Sequence, residues 1–261
     1  MSYPFLSPAK INLDFKILGR REDGYHLIRS EMVAINLFDE LEVALSPTNC
    51  LLSLQPLPFD FNTSIFFKAY TQVKRKIPDL PCFQIKIKKS IPIGAGLGGG
   101  SSNAATFIFA IRQLLNLDWT DNEMIEIAKG IGADVPFFFS YGRALAEGIG
   151  TEITPRPLLG KKNFTLLFDA ISIATPLVYR LVDLEQLDET ARNQLEKFAA
   201  IAYPAYAQTL KEWKHLFGEV TMTGSGSAAF VERIIPFKLY GLRGFHSHTI
   251  ERRPNEWYHP C

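Results

Sequence analysis

Cysteine is scarce in this sequence and follows no recognisable pattern. The 261 residues include three cysteines, Cys50, Cys82 and Cys261, and no two of them form a Cys-x-x-Cys pair. A disulfide framework needs a denser, even set of cysteines, and a structural zinc site needs clustered ligands. The sequence therefore predicts reduced thiols and a cytoplasmic location.

An excess of charge of one sign and a long apolar run are also absent. The 28 basic residues and 27 acidic residues leave a formal net charge of +1, so neither nucleic acid nor an anionic membrane is expected as a partner. No apolar stretch approaches the ~18 residues that a membrane-spanning helix needs. The first residues, MSYPF, have neither the basic segment nor the apolar core of a signal peptide, and none is expected.

What the sequence does contain is typical of a folded globular protein, with 47% hydrophobic and 21% charged residues. Apolar and polar residues alternate from Lys10 to Ile17, with the period of a half-buried strand. This pattern predicts that Lys10 and Asn12 share one face, directed away from the apolar core.

Hydrophobic periodicity predicts an α+β chain, because strands and helices alternate too irregularly for a doubly wound sheet. A proline pair at Pro155–Pro157 is a plausible linker, and it divides the chain into predicted domains 1–153 and 154–261. Further strands are predicted at 31–45, 83–88, 164–168, 219–222, 228–232 and 245–250, and helices at 64–76, from 104 to 115, 120–129, 188–201, 205–216 and 237–242.

The most informative segment is rich in glycine. Residues 94–100 (GAGLGGG) contain five glycines and separate a predicted strand from an amphipathic helix. A helix N-terminus offers unpaired amide donors and a positive dipole end, which suit phosphate. No Gly-Lys-Ser/Thr closes the loop as in a P-loop, and no following strand with a ribose-binding acid supports a dinucleotide fold. A simple turn before a helix remains possible, although it needs fewer glycines.

Two further segments could take part in phosphoryl transfer. Asp134 stands at a predicted helix start, where an N-cap role and a catalytic role are both open. The segment Thr223–Ser227 (TGSGS) could form an anion-binding nest or a hairpin turn. Lys10 alone would be an ordinary surface lysine, but with a carboxylate and two glycine-serine loops it completes the groups that phosphoryl transfer needs.

These motifs together resemble a known family. Segments Pro8–Leu13 and Gly19–His26 are similar to the opening of the 4-diphosphocytidyl-2-C-methylerythritol kinases. The glycine-rich segment is similar to the ATP loop of the GHMP kinases, the superfamily that contains them. Segments 132–138 and 222–228 resemble the later motifs of the family. The Asp-Gly-Tyr-His sequence at 23–26 distinguishes this family from its superfamily relatives.

The resemblance implies a two-domain GHMP kinase fold with the active site in the cleft between the domains. It implies transfer of the γ-phosphate of ATP to the 2-hydroxyl of 4-diphosphocytidyl-2-C-methylerythritol, a step in non-mevalonate isoprenoid precursor synthesis. Asp134 would accept or orient the hydroxyl proton, and Lys10 would lie near this carboxylate and the transferring phosphoryl group. Magnesium is expected with ATP, and its protein ligand is not identified, although Ser102 is one candidate.

Binding residues are implied by the same resemblance. For ATP they are Lys89, Pro92, Ile93, Gly94, Ala95, Gly96, Leu97, Gly98, Gly99, Gly100, Ser101, Ser102 and Asn103. For the cytidylyl substrate they are Asn12, Tyr25, His26, Tyr179, Gly224 and Ser225, with Tyr25 and Tyr179 on the two faces of the base and His26 on its edge. The adenine pocket is not assigned, because Asn62–Ile65 matches the family's short motif in no clear register.

Three other functions stay open. Another GHMP kinase, for mevalonate, a sugar or homoserine, is disfavoured by Tyr25 and His26. A non-catalytic GHMP-fold sensor is disfavoured by the presence of Lys10, Asp134 and the whole glycine loop. An RNA-binding module is disfavoured by the neutral charge balance. The sequence does not indicate an oligomeric state, and it contains no usable motif after Pro236.

Overall fold

The computed structural model describes residues 4–158 and 160–259, so Cys261 lies outside the described residues. Strands and α-helices are both present in each half of the chain, which confirms the predicted α+β class. The strands are β1 (Phe5–Asn12), β2 (Lys16–Arg20), β3 (His26–Ser46), β4 (Cys50–Ser53), β5 (Cys82–Lys88), β6 (Arg143–Glu147), β7 (Glu152–Pro155), β8 (Asn163–Phe168), β9 (Thr221–Met222), β10 (Ala229–Val231) and β11 (Arg243–His248). The α-helices are α1 (Ile65–Lys76), α2 (Gly99–Leu114), α3 (Asp121–Lys129), α4 (Thr175–Arg180), α5 (Leu195–Ala202) and α6 (Pro204–Phe217).

The first sheet is organised around β3, which is 21 residues long. The main path of the sheet is β4-β5-β3-β6-β7, and β1 and β2 also pair with β3. Helix α2 packs on β1 and β3, and α1 and α3 pack beside α2. The core between the helices and the sheet is rich in fully buried aromatic rings, including Phe66, Phe83 and Phe107.

The second sheet is antiparallel, with the order β11-β8-β10-β9. Helices α5 and α6 pack against each other, and α4 packs on α5. Their apolar faces bury Phe198, Tyr206 and Trp213 in a second core. A third buried cluster contains residues of both sheets, among them Ile11 of β1 and Phe230 of β10, so the two halves share apolar surface.

The sheets also join at an irregularity in β3. The register between β1 and β3 shifts between Pro8 and Ala9. Within the irregular stretch of β3, the side-chain oxygen of Asn36 accepts hydrogen bonds from the Ser247 hydroxyl and the His248 amide, both at 2.8 Å. The end of β11 is therefore attached to the central strand of the first sheet.

The segment after β11 returns to the first half of the chain. Ile250, Trp257 and Tyr258 are buried in the first core. The Trp257 ring stacks on Phe109 of α2 with centroids 4.8 Å apart, and its indole nitrogen donates to the Leu6 carbonyl at 2.7 Å. The predicted division at 153/154 falls inside β7, and it stays a prediction.

The prediction of one continuous strand from Lys10 to Ile17 is wrong, because this segment forms parts of two strands. Strand β1 ends at Asn12 and β2 begins at Lys16. Between them the chain leaves β3, because Phe15 forms a parallel bridge with Asn193 of the second half. Lys10 and Asn12 do share a face away from the apolar core, but they are buried.

Two predicted helices are also shorter than expected. The helix predicted at 188–201 starts only at Leu195, because the preceding residues pair with Phe15 instead. The helix expected from Asp134 is a single 3₁₀ turn over Pro136–Phe139. No side chain caps this turn, so the N-cap role considered for Asp134 is wrong.

Candidate functional site

A cavity of about 900 Å³ is lined by residues from both halves of the chain. All but one of the predicted site residues line it, and the exception is Ser102. Segments that are far apart in sequence meet here: β1, the glycine-rich loop, the turn before Pro136, α4 and the loop after β9. A concave site of this size is large enough for a small-molecule ligand.

Lys10 and Asp134 form an ion pair inside this cavity. The Lys10 ammonium lies 3.3 Å from Asp134 Oδ2, with the lysine side chain 3% exposed and the aspartate side chain 36% exposed. The same ammonium donates to Asn12 Oδ1 at 2.6 Å. A buried lysine needs such partners to remain charged away from water. The pair thus presents a held cation beside a carboxylate that solvent or substrate can reach.

Asn12 is itself held by several hydrogen bonds. Its amide side chain donates to Ser30 Oγ at 2.7 Å, and its backbone N–H donates to Thr223 Oγ1 at 2.9 Å. The side chain of Asn193 donates to the carbonyl oxygens of Met222, at 2.7 Å, and of Gly224, at 2.8 Å. The Thr223–Ser227 loop is therefore held by β1, through Asn12, and by the segment before α5, through Asn193.

The glycine-rich loop passes close to these groups. Gly94, Gly96 and Gly98 have φ angles of +71°, +76° and +68°, a region that side chains disfavour. A Cβ atom on Gly98 would lie 2.9 Å from Lys10 Cγ, and one on Gly96 would lie 2.4 Å from the Thr223 carbonyl oxygen. Glycine is required here because the backbone touches Lys10 and the second loop.

Helix α2 begins at the end of this loop, so its first N–H groups belong to residues that line the cavity. Ser101 lines the cavity as well. Ser102 lies behind it, fully buried, and its Oγ accepts a hydrogen bond from the Ser7 hydroxyl at 2.9 Å. Ser101 is therefore the better placed of the two serines to contact a ligand in the cavity.

Asp39 organises the other end of the loop, and it was missed in the sequence. It is 0% exposed, and Oδ1 accepts from the backbone N–H groups of Ser90, at 2.8 Å, and Ile91, at 2.9 Å. Oδ2 accepts from Asn103 Nδ2 at 2.9 Å and pairs with the Lys89 ammonium. One sequence signal existed, because Asp39 falls on the apolar face of β3 between Leu37 and Leu41.

The opposite end of the cavity is aromatic. The His26 and Tyr179 rings lie 5.4 Å apart at 38°. Burial, and secondarily the positive charge of Arg20, lowers the pKa of His26. Burial, and secondarily the negative charge of Asp134, raises the pKa of Tyr179. Both groups are therefore held in their neutral forms, whereas Tyr25 stands at the rim and is 61% exposed.

The segment Asn62–Ile65, for which no adenine contact was assigned, also reaches the cavity. Thr63, Ser64 and Ile65 line it together with Phe59 and Phe66. Ser64 caps α1 by accepting from the Phe66 N–H at 3.2 Å. Helix α1 thus begins at the cavity wall.

Two negative findings apply to the residues that the structure describes. Within 4–158 and 160–259, no group of three or more His, Cys, Asp or Glu side chains could hold a metal ion. Over the same ranges, no helix combines the length and apolar character needed to cross a bilayer. Cys50 and Cys82 are both free thiols.

Known proteins resemble this chain along nearly its whole length. A family model described as GHMP kinases N terminal domain matches residues 64–143. The chain is 34% identical to 4-diphosphocytidyl-2-C-methyl-D-erythritol kinase of Chlamydia trachomatis, across 97% of this chain and 96% of the relative. It is 35% identical to the protein of the same name in Citrifermentans bemidjiense, across 86% of this chain and 87% of the relative.

A solved structure is similar as well. A crystal structure of 4-(cytidine 5'-diphospho)-2C-methyl-D-erythritol kinase superimposes with a TM-score of 0.79 at 28% sequence identity. The match covers 95% of this chain and 99% of that one. The structural match therefore includes the second half of the chain, although the sequence contains no recognisable motif after Pro236.

Proposed function

The chain belongs to the 4-diphosphocytidyl-2-C-methyl-D-erythritol kinase family of GHMP kinases, and from this premise we propose how its cavity carries out the reaction. The protein is an ATP-dependent phosphotransferase of isoprenoid biosynthesis with an alcohol group as acceptor. We propose that the acceptor is the 2-hydroxyl of 4-diphosphocytidyl-2-C-methylerythritol. The observation that carries the proposal is the Lys10–Asp134 ion pair, which lines the same cavity as the glycine-rich loop and the His26–Tyr179 rings.

Asp134 is the group proposed to receive the hydroxyl proton. As the substrate oxygen forms its bond to the γ-phosphorus, the bond from that phosphorus to the β–γ bridging oxygen breaks, and the proton passes to an Asp134 carboxylate oxygen. The products are ADP and the phosphate ester. The 36% exposure of the Asp134 side chain is compatible with this role, because the carboxylate can be reached from the cavity.

Lys10 is proposed to stabilise the charge that develops on the transferred phosphoryl group. Preorganised cations in a site that excludes water contribute more than in bulk solvent, because they need no reorganisation during the reaction. Two contacts keep the ammonium in place, one to Asp134 and one to Asn12. Asn12 is in turn fixed through Ser30 and Thr223.

The glycine-rich loop and α2 are proposed to hold the triphosphate, since the loop glycines leave the backbone accessible and the helix N-terminus favours anions. Magnesium would accompany ATP, held mainly by phosphate oxygens and water with few protein ligands, as this ion usually is in kinases. The available donor set fits that arrangement, because Ser101 offers a hydroxyl at the cavity wall. Magnesium would neutralise phosphate charge during transfer.

The aromatic end is proposed to recognise the cytosine. A neutral imidazole at His26 can both donate and accept hydrogen bonds at the edge of a base, and Tyr179 and Tyr25 offer rings for stacking. Because His26 contacts Tyr179 directly, the base would have to enter beside this pair. Cytoplasmic location and the absence of nucleic-acid partners stay predictions.

The test is ADP release with ATP and magnesium, using the cytidylyl alcohol beside mevalonate, galactose and homoserine. We expect release with the cytidylyl alcohol alone. Release with a different acceptor would keep the kinase chemistry and refute the proposed substrate. Binding of ATP without turnover of any acceptor would instead favour the non-catalytic sensor.

The Asp134→Asn variant tests the catalytic assignment. We expect kcat to fall about 10²- to 10⁴-fold, the usual contribution of a general base, while ATP still binds. Glu126→Gln is a matched control, because Glu126 also pairs with a lysine, Lys129, at 2.5 Å but lies on the exposed face of α3. A kcat for Asp134→Asn close to that of the control would remove Asp134 from the mechanism.

A further inference from the structure

Asp39 has no part in the reaction proposed above, yet it is the most completely buried carboxylate near the site. It lies on β3, opposite Ser7 of β1. Four donors surround it, from Lys89, Ser90, Ile91 and Asn103. Lys89, Ser90 and Ile91 follow β5, where the chain enters the glycine-rich loop. Asn103 is the fifth residue of α2.

This arrangement connects the two ends of the loop through one side chain. A carboxylate that is 0% exposed is tolerated only where charge and hydrogen bonds replace water. Here the Asp39 oxygens bind the backbone before the loop and the Asn103 side chain after it. The position of the loop relative to α2 therefore depends on this group.

Asp39 also determines where the Lys89 ammonium lies. A lysine at the rim of a cavity would normally extend its charged end toward solvent, yet the Lys89 side chain is only 9% exposed. Its Nζ pairs with Asp39 and donates to Asn103 Oδ1 at 3.3 Å. A Cβ atom on Gly99 would lie 3.4 Å from this Nζ, so the ammonium lies beside the first residue of α2.

We propose that Asp39 is a positioning residue for the nucleotide: it holds the Lys89 ammonium and the start of α2 in the arrangement that binds ATP. The proposal rests on the ATP site proposed above. Asp39 does not line the cavity, but its partners Lys89 and Asn103 do, and the Lys10–Asp134 pair is held by other residues. Loss of the Asp39 charge should therefore weaken ATP binding and leave phosphoryl transfer from bound ATP largely unchanged.

Asp39→Asn is the first test, because asparagine has the same shape and keeps one carbonyl oxygen for the Ser90 and Ile91 N–H groups. Its amide nitrogen, however, would face two other donors, Lys89 Nζ and Asn103 Nδ2. We expect the KM for ATP to rise about tenfold or more, the effect of losing a buried charged hydrogen bond. The kcat at saturating ATP and the KM for the acceptor should change less than about threefold.

A second change should reverse the effect. Asn103→Asp in the Asp39→Asn background exchanges the two side chains, so that one carboxylate and one amide again lie between the same neighbours. Because Asn103 itself lines the cavity, we expect this double variant to recover part of the loss, with a KM for ATP clearly below that of Asp39→Asn. A merely structural role for Asp39 would appear as a lower melting temperature without this pattern of loss and recovery in the KM for ATP.

Glu40→Gln supplies the matched control. Glu40 is the next residue of β3, and its carboxylate pairs with Lys88 at 2.8 Å on the exposed side of the sheet. We expect its KM for ATP to equal that of wild type. An unchanged KM for ATP in Asp39→Asn, or an equal change in Glu40→Gln, would overturn the inference.

If Asp39→Asn fails to fold, Asp39→Asn/Lys89→Met removes both buried charges together. We expect this variant to show a raised KM for ATP, and a value within about threefold of wild type would overturn the inference. Turnover by the wild-type protein tests the proposed function, whereas the ratio of variant to wild-type KM tests Asp39. The two ideas can therefore fail separately.

Discussion

Replacing Arg252 by methionine removes a guanidinium that is fully shielded from solvent. The Arg252 side chain is 0% exposed and lies 3.0 Å from Asp121 Oδ2. It also donates to the carbonyl oxygens of Ser140, at 3.0 Å, of Glu256, at 3.0 Å, and of Phe139. The guanidinium thus joins the segment after β11 to α3 and to the turn that follows Asp134.

The expected loss of stability follows from what the substitution leaves behind. Methionine retains most of the apolar stem, so the main cost is the uncompensated charge of Asp121, whose side chain is 14% exposed. Removing one partner of a buried ion pair costs about 3–5 kcal/mol. At about 2–4 °C for each kcal/mol in a chain of this size, the melting temperature should fall by about 6–20 °C.

Thermal unfolding followed by circular dichroism would measure this change. Arg253→Met is the control, because the adjacent arginine is exposed and should cost less than about 0.5 kcal/mol. Adding Asp121→Asn to Arg252→Met should recover part of the loss, since it removes the unpaired charge. A melting temperature for Arg252→Met equal to that of Arg253→Met would refute the reasoning.

Two more predictions concern the cavity. Gly98→Ala should lower kcat at least about tenfold, because the new Cβ would displace Lys10, and a 1 Å misplacement can cost about 100-fold. Gly241→Ala has nearly the same φ, +67° against +68°, and no atom within 4 Å. It should therefore show only backbone strain, and an equal loss of kcat would contradict the steric explanation. The lowered pKa of His26 means that its contribution to stability is present above its ordinary value of 6.5 and is lost as the pH falls through the lowered pKa. The KM for the cytidylyl acceptor should rise as the pH falls through that lowered pKa, where the folded protein protonates His26, and His26→Gln should abolish this acidic limb.

The elements that sequence analysis predicted well are those that local residues determine. Strand β5 closely matches the predicted 83–88, and α1 the predicted 64–76. The capping box at Thr120 is present, with both reciprocal hydrogen bonds to Glu123. Each depends on residues within a few positions, so a single sequence contains the necessary information.

The predictions that failed depend on distant partners. The strand breaks after Asn12 because Phe15 pairs with Asn193, which lies 178 positions later in the sequence. The late start of α5 has the same cause. The alternation of apolar and polar residues could not show that the polar face of β1 is buried. The two loops that cover it, which contain Gly98 and Thr223, lie far from β1 in the sequence.

The sequence indicated which residues line the candidate site, but it did not indicate the contacts that hold those residues in place. Lys10, Asp134 and the glycine-rich loop belong to recognisable motifs, and the structure brings them together. Asp39 and Asn193 belong to no such motif, and their importance is visible only from their hydrogen bonds. Of these two residues, only Asp39 could have been noticed in the sequence, because it is an acidic residue on the apolar face of a predicted strand.

Strand β3 carries His26 at its beginning, Ala34 opposite Lys10 in its middle, and Asp39 further on. Strand β3, including its irregular stretch at Asn36, therefore determines the spacing between the aromatic end of the cavity, the ion pair and the entry to the glycine-rich loop. Substitutions along such a strand can be accommodated by repacking, whereas insertion or deletion of one residue reverses the faces of everything beyond it. In this family of sequences, changes in chain length should consequently be found in the surface loops and be rare between positions 26 and 39.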